Sequence, residues 1–263
     1  MKIILIKIGI FILNTIYFFI KLFPINKNKV TFISRQSNEV SLDFTMIAKE
    51  LKQQNENIKI VFLCKKLGTS FNEKLKYCFH MVKQMYNIAT SKVVILDSYC
   101  IPVCVLKQKK KLVVIQIWHA LGSLKKFGYS SLDKKDGRNS KLAKVMKMHR
   151  NYTYILTSSN LSKKFFKEAF NARDEQMLVM NLPRVDFLKS EKEQEKMKLR
   201  FTGVYPETNN KKQNILYCPT NRKGQKIPLE NIVKDIPLDK YNFIAKLHDG
   251  TEVIYVKGKK IEK

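Results

Sequence analysis

The sequence predicts an α/β protein organised around a parallel sheet, in two lobes preceded by an apolar helix. Short β-rich apolar runs alternate with longer stretches of helical periodicity, the pattern of strands joined by crossover helices. The 263 residues exceed the ~100–200 of a typical domain, and a highly charged stretch beginning near residue 189 divides the pattern in two. Near-continuous apolar character over residues 3–23 sets the first segment apart.

That first segment is interrupted only by Lys7, Asn14, Thr15 and Lys21, and Pro24 ends it. No small-residue cleavage site follows, which disfavours a signal peptide. A spanning helix would hold Lys7 in the bilayer, at ~3 kcal/mol for a central charge. Lys7, Asn14 and Lys21 recur in steps of seven and share one helical face. That spacing favours an in-plane helix, with Ile10, Leu13, Phe18 and Phe19 in the acyl boundary and the lysines at anionic headgroups. The alternative is a first helix packed on the protein's own core.

Strands are expected at residues 30–33, 58–63, 92–96, 112–118, 152–156 and 177–180, with helices at 41–54, 71–89 and 161–170. Beyond the charged helix at 189–200, strands at 214–217, 241–247 and 253–256 flank a helix at 229–234. The expected division is a membrane-associated helix at 1–25, a first lobe at 26–188 and a second at 189–263. In open α/β sheets ligands sit at the carboxyl ends of strands, which singles out Asp97, Ser98, His119, Ser158, Ser159 and the Pro183-Arg184 pair.

Fifty Lys and Arg against 22 Asp and Glu give a net charge of +28. Attraction to phosphate or anionic lipid and the codon bias of an AT-rich genome both account for a surplus carried almost wholly by Lys. The lysines are scattered, and no zinc-finger, RNA-binding or helix-turn-helix signature accompanies them, so nucleic acid is not the expected partner. Cys64, Cys78, Cys100, Cys104 and Cys218 contain no C-x-x-C pair and read as reduced thiols, mostly small buried hydrophobes rather than metal ligands.

Of the four histidines, His80 and His149 lie in helical surroundings and read as structural or surface residues, whereas His119 and His248 each follow an apolar strand. The run Trp118-His119-Ala120-Leu121-Gly122-Ser123-Leu124-Lys125-Lys126-Phe127-Gly128 joins an imidazole to a glycine turn and two lysines. A strand, a glycine turn and a following helix start present backbone N–H groups to phosphate.

This run resembles the W-H-G-T-P-L-K-x-x-G signature of the CDP-glycerol glycerophosphotransferase family, the primases and polymerases of wall teichoic acid. Four further segments follow in the family's order. Tyr154-Ile155-Leu156-Thr157-Ser158-Ser159 resembles its strand-and-serine segment, and Asn181-Leu182-Pro183-Arg184-Val185-Asp186 its G-x-P-R-x-D. Ile215-Leu216-Tyr217-Cys218-Pro219-Thr220-Asn221-Arg222 is similar to I-L-Y-A-P-T-W-R, and Lys246-Leu247-His248 to K-L-H-P. Together they span about 130 residues.

The resemblance implies a GT-B-like architecture: an N-terminal Rossmann-like acceptor lobe, a partial second Rossmann-like donor lobe, and peripheral attachment to the cytoplasmic face of the membrane. It implies transfer of glycerol phosphate, or a related polyol phosphate, from CDP-glycerol or another CDP-polyol to a prenyl-diphosphate-linked acceptor, with release of CMP. His119 takes the acceptor proton in that scheme, and His248 contacts the donor phosphates. Arg222, Lys246 and Thr220 bind the donor, while Trp118, Gly122, Lys125, Ser158 and Arg184 belong to the acceptor side or its turns. No cofactor and no metal ligand is expected, and the lack of a D-x-D motif disfavours a GT-A enzyme. Ala120, Gly122-Ser123, Asn221 and Asp249 depart from the family pattern, and the sequence stops at Lys263 before the family's D-Y-S-S segment. The expectation is therefore a C-terminally shortened second lobe, completed by a partner chain if active. A non-catalytic membrane-bound binding subunit and a sugar-transferring GT-B enzyme are the competing readings.

Overall fold

The computed structural model describes residues 2–68, 70–134, 137–219, 229–246, 254–256 and 259–261. The chain forms two units, Met1–Phe187 and Leu188–Lys263. The first contains, in order, α1 (Lys2–Ile20), β1 (Asn26–Ser34), α2 (Leu42–Gln54), β2 (Lys59–Cys64), α3 (Phe71–Thr90), β3 (Ser91–Leu96), α4 (Ile101–Val105), β4 (Val113–Gln116), α5 (Ser140–Val145), β5 (Tyr154–Thr157), α6 (Asn160–Phe170) and β6 (Met177–Val179). Helix α7 (Pro183–Lys189) crosses into the second unit, followed by α8 (Glu191–Val204), β7 (Gln213–Tyr217), α9 (Leu229–Lys234), β8 (Tyr241–Ala245), β9 (Ile254–Val256) and β10 (Lys259–Ile261).

The first unit is a six-stranded parallel sheet in the order β2-β1-β3-β4-β5-β6. Successive strand residues point to opposite faces, and both faces are buried. Ile33, Leu63, Val94, Leu96, Val114 and Ile155 pack under α1, α3, α4, α5 and α6. Val30, Phe32 and Ile95 pack on the other face against Phe44 and Ala48 of α2. A parallel sheet requires this two-sided cover because its crossovers lay helices on the faces. Local signals place the helices: Ser41 caps α2 by accepting from Phe44 N–H, and Ser70 with Glu73 forms a capping box on α3.

Helix α1 packs one side on the protein's own core and leaves the other exposed. Its Tyr17 is 2% exposed and donates to Gln108 Oε1 at 2.6 Å, and Ile10, Leu13, Ile16 and Ile20 pack on the main core. The expectation that Ile10 and Leu13 face lipid is therefore corrected: they share the inner stripe with Tyr17 at spacings of three and four. The outer face retains Ile4, Ile8, Phe11, Ile12, Phe18 and Phe19, all exposed. Over residues 3–20 the helix is long and apolar enough to cross a membrane, yet one side is committed to the core.

Several bounds differ from expectation for local reasons. The strand expected at 112–118 stops at Gln116, because Trp118 adopts a positive φ. That expected at 241–247 is described only to Ala245. Cys100 and Cys104 are buried around α4, a helix hidden within a run with no polar face, whereas Cys78 and Cys218 are exposed.

In the second unit β7 and β8 pair in parallel, from Gln213 with Tyr241 to Tyr217 with Ala245. Phe243, Ala245 and Leu229 form its core with Ile215, Tyr217 and Ile232 around them. Asn242 amide nitrogen donates to Asn210 at 3.0 Å and Asn214 at 2.9 Å, joining the amino ends of the strands.

Two substitutions separate the faces of α1. Tyr17→Ala should destabilise the protein by about 3 kcal/mol, as expected for a buried aromatic. Phe11→Ser should leave the urea midpoint of a detergent-free sample unchanged within about 0.5 kcal/mol.

Candidate active site

The strand order places the topological switch between β1 and β3, where neighbouring crossovers leave the sheet in opposite directions. Around the carboxyl ends of β1, β3 and β4 the chain gathers Ser34, Gln36, Asp97, Ser98 and His119. The backbone N–H of Arg35 donates to Ser98 Oγ at 3.0 Å, tying the ends of β1 and β3 together. Gln116, fully buried, donates to the Ser98 carbonyl at 3.1 Å and accepts from the Trp118 N–H at 2.9 Å.

His119 lies beside this lattice. Its Nδ1 is 2.8 Å from the Asp97 carbonyl oxygen. A carbonyl can only accept, so Nδ1 carries the proton and Nε2 keeps its lone pair. Gln36 Nε2 is the weaker neighbour of the same nitrogen at 3.3 Å. Asp97 itself is 4% exposed, and burial raises its carboxyl pKa against the opposing pull of the Ser34 and Ser98 hydroxyls and the nearby imidazole.

The turn that presents His119 is strained and then braced. Trp118 has φ 62°, which costs a bulky L-residue about 1–2 kcal/mol. Its indole stacks on Phe127 at 4.7 Å, meets Phe170 edge-on at 5.2 Å and lies 4.2 Å from the His119 ring. Each aromatic pair contributes about 0.5–1.5 kcal/mol beyond area burial, enough together to hold the turn. Gly128, at φ 56°, closes the loop: a Cβ there would lie 2.1 Å from the Ala169 carbonyl oxygen.

His149 belongs to this support and is neither a surface nor a helix-end residue. It is 8% exposed, 4.7 Å from the Phe170 ring, and its Nδ1 is 3.2 Å from Tyr152 Oη. Burial, helped by the Arg138 charge, pushes its pKa down to about 3, so the ring is neutral.

Trp118, His119, Gly122 and Lys125 line one open cavity of about 490 Å³, with Ala120, Leu121, Leu124 and Phe127. The helix expected directly after the glycine turn is absent: among the described residues the next helical turn is a 3-10 turn at Gly128–Ser131. The cavity therefore offers a basic side chain and an imidazole rather than a helix N-terminus. Ser158 lies at the carboxyl end of β5, next to Ser159, whose hydroxyl caps α6.

Arg184 is held by the protein. Its backbone N–H donates to Asp43 Oδ1 at 2.9 Å, its Nε to Oδ2 at 2.6 Å, and a terminal nitrogen to the same oxygen. Asp43 is 1% exposed, so this pair fixes the P-R-V-D segment to the first turn of α2. In the second unit Lys246 lines a separate cavity of about 210 Å³ with Phe201, Tyr205, Leu216 and Ile244, and its backbone N–H donates to the Tyr217 carbonyl. Thr220, Arg222 and His248 lie outside the described residues.

The profile of the CDP-Glycerol:Poly(glycerophosphate) glycerophosphotransferase family matches residues 15–258. The chain belongs to that family. It is 31% identical over 233 residues to the teichoic acid ribitol-phosphate primase of Bacillus spizizenii, covering 86% of this chain and 59% of that one. Identity to the teichoic acid glycerol-phosphate primase of Bacillus subtilis is 30% over 179 residues, 66% of this chain and 45% of the relative. The chain thus spans about three fifths or less of these curated relatives. Its fold is similar to that of the wall teichoic acid polymerase TagF, with a TM-score of 0.66 over 94% of this chain and 64% of that one at 16% identity. The α/β architecture is accordingly the GT-B-like one of that neighbour.

Two outcomes test the bracing of the site. In the folded state His149 stays neutral down to about pH 3, whereas in the unfolded chain it protonates near its ordinary 6.5. Stability should therefore fall as pH drops from about 6.5 toward 3, by up to about 1.4 kcal/mol per unit from this group. His149→Asn, which tolerates the positive φ, should flatten that slope in urea titrations at stepped pH. Arg184→Ala should cost about 3 kcal/mol by leaving Asp43 buried and unpaired, and Arg184→Lys should not restore it, because an ammonium lacks the forked geometry.

Proposed function

We propose that this protein transfers a polyol phosphate, glycerol phosphate or ribitol phosphate, from a CDP-activated donor to a prenyl-diphosphate-linked acceptor, releasing CMP. The observation that carries the reading is the state of His119: Nδ1–H is engaged by the Asp97 carbonyl, and Nε2 has no hydrogen-bond partner among the described residues, in a cavity also lined by Lys125. An imidazole in that tautomer presents a lone pair at Nε2 to which a hydroxyl can give its proton. The acceptor hydroxyl oxygen forms a bond to the β-phosphorus of the donor, and its proton passes to His119 Nε2. The bond between that phosphorus and the bridging oxygen breaks, and CMP leaves with the oxygen and the electron pair.

Negative charge grows on the transferred group and on CMP, so cations at the donor site lower the barrier. His248, Arg222, Lys246 and Thr220 take that role in this scheme, by their match to the family's donor motifs. Residues 26–188 then form the acceptor lobe and 189–263 the donor lobe. Relatives named as ribitol-phosphate and glycerol-phosphate primases support both polyols as donors. Residues 1–25 attach the protein to the cytoplasmic face of the membrane: α1 keeps its inner stripe on the core and lays its outer apolar face in the acyl boundary.

CMP release from CDP-glycerol and from CDP-ribitol, with a prenyl-diphosphate-linked acceptor in vesicles, tests the reading. Acceptor-dependent release should fall by roughly 10²–10⁴-fold in His119→Ala while the circular dichroism spectrum is retained. Release unaffected by the substitution would remove His119 from the role of base.

A further inference from the structure

A second positively charged concavity lies at the opposite, amino edge of the sheet. Ile25, Lys27, Lys92, Lys109 and Lys111 surround about 480 Å³ where β1, β3 and β4 begin. None of the ion pairs among the described residues involves these lysines. Lys109 donates to the Phe23 carbonyl, and its pKa is lowered by burial and then by the charge of Lys21. Cations crowd together here, and no carboxylate of an ion pair balances them.

The pocket adjoins an apolar surface larger than α1 alone. On α3, Phe71, Leu75, Phe79, Val82 and Tyr86 recur at steps of four, four, three and four, and all are exposed, Phe71 by 79% and Phe79 by 72%. They form one stripe, on the side of the helix turned away from the buried Tyr77 and Ile88. Phe23 joins the two features: it is exposed, its ring lies 5.5 Å from that of Tyr86, and its carbonyl is the one that receives Lys109. Contiguous exposed apolar residues of this kind mark an interaction surface more often than scattered ones do.

We propose that Lys27, Lys92, Lys109 and Lys111 form a binding site for the phosphate of an anionic phospholipid headgroup, filled while the exposed faces of α1 and α3 lie in the acyl boundary. The inference rests on the membrane attachment given above for α1 and extends it to α3 and to a defined headgroup site. Depth and charge agree. An interfacial helix sinks about 5–10 Å, which brings a pocket at its end to headgroup level. Each lysine near an anionic surface contributes about fivefold in affinity. Lipid is favoured over a soluble polyanion because the lysines border an exposed apolar stripe instead of standing on a wholly polar face.

Sedimentation of the full chain with vesicles tests this, using phosphatidylcholine alone and phosphatidylcholine containing about one quarter phosphatidylglycerol. The unchanged protein should bind both and prefer the anionic vesicles. The triple variant Lys27→Gln, Lys92→Gln, Lys111→Gln changes only exposed side chains. It should lose on the order of 100-fold affinity for the anionic vesicles and match the unchanged protein on phosphatidylcholine. Phe71→Ser with Phe79→Ser should weaken binding to both. A triple variant that equals the unchanged protein on anionic vesicles overturns the headgroup site while leaving membrane attachment intact. An unchanged protein that binds neither vesicle overturns the attachment itself, and with it the site. CMP release in detergent with a short soluble acceptor should be the same in the triple variant and the unchanged protein, which separates both failures from failure of the catalytic reading.

Discussion

The requirement that a parallel sheet be buried on both faces organises this molecule. Six strands with apolar side chains on alternate sides need helices above and below, and the chain supplies α2 to one face and α1, α3, α4, α5 and α6 to the other. The two ends of the sheet, where the strands begin and finish, are left to the loops. At the carboxyl edge the loops are free to carry His119 and its neighbours. At the amino edge they carry lysines. Recruitment of α1 as a cover explains its mixed character: Tyr17 is buried and Leu13 partly buried on the core, while Phe11, Phe18 and Phe19 stay exposed.

At the carboxyl edge, rigidity is assembled from groups that do no chemistry themselves. The Gln116 side chain bonds the Ser98 carbonyl and the Trp118 N–H, tying the end of β4 where Trp118 turns to positive φ. Trp118 is then held by Phe127 and Phe170, and Phe170 in turn by a histidine that is kept neutral by burial. The outcome is an imidazole with one nitrogen committed to a backbone carbonyl. Such anchoring converts a freely rotating side chain into a positioned acceptor. The Asp43–Arg184 pair performs an analogous service for the first turn of α7.

How much of this was legible in the sequence depends on the range of the forces involved. The strands and long helices were visible because periodicity and caps are local; Ser70 and Glu73 announce α3 from three residues apart. The position of His119 at a strand end was visible for the same reason. Its partner was not, because the Asp97 carbonyl lies 22 residues away and a backbone acceptor leaves no mark in composition. Asp43 and Arg184 are 141 residues apart, and neither looks unusual in its own segment. Gln116, a polar residue inside an apolar run, was the one signal that could have been read. His149 could be read only as structural or surface, because the aromatic shell that buries it comes from four separate segments. The stripe on α3 was in plain view at helical spacing, but the sequence does not say that its other side, with Tyr77 and Ile88, is the buried one.

The proposed chemistry turns on the tautomer of His119, and nitrogen-15 NMR of the histidine side chains reads it directly. With His119 assigned through His119→Gln, its Nδ1 should give the pyrrole-like shift of a protonated nitrogen and its Nε2 the pyridine-like shift of a free lone pair at neutral pH. The reverse pattern, with the proton on Nε2, would contradict the arrangement, because the nitrogen left to accept the acceptor's proton would be the one facing the Asp97 carbonyl.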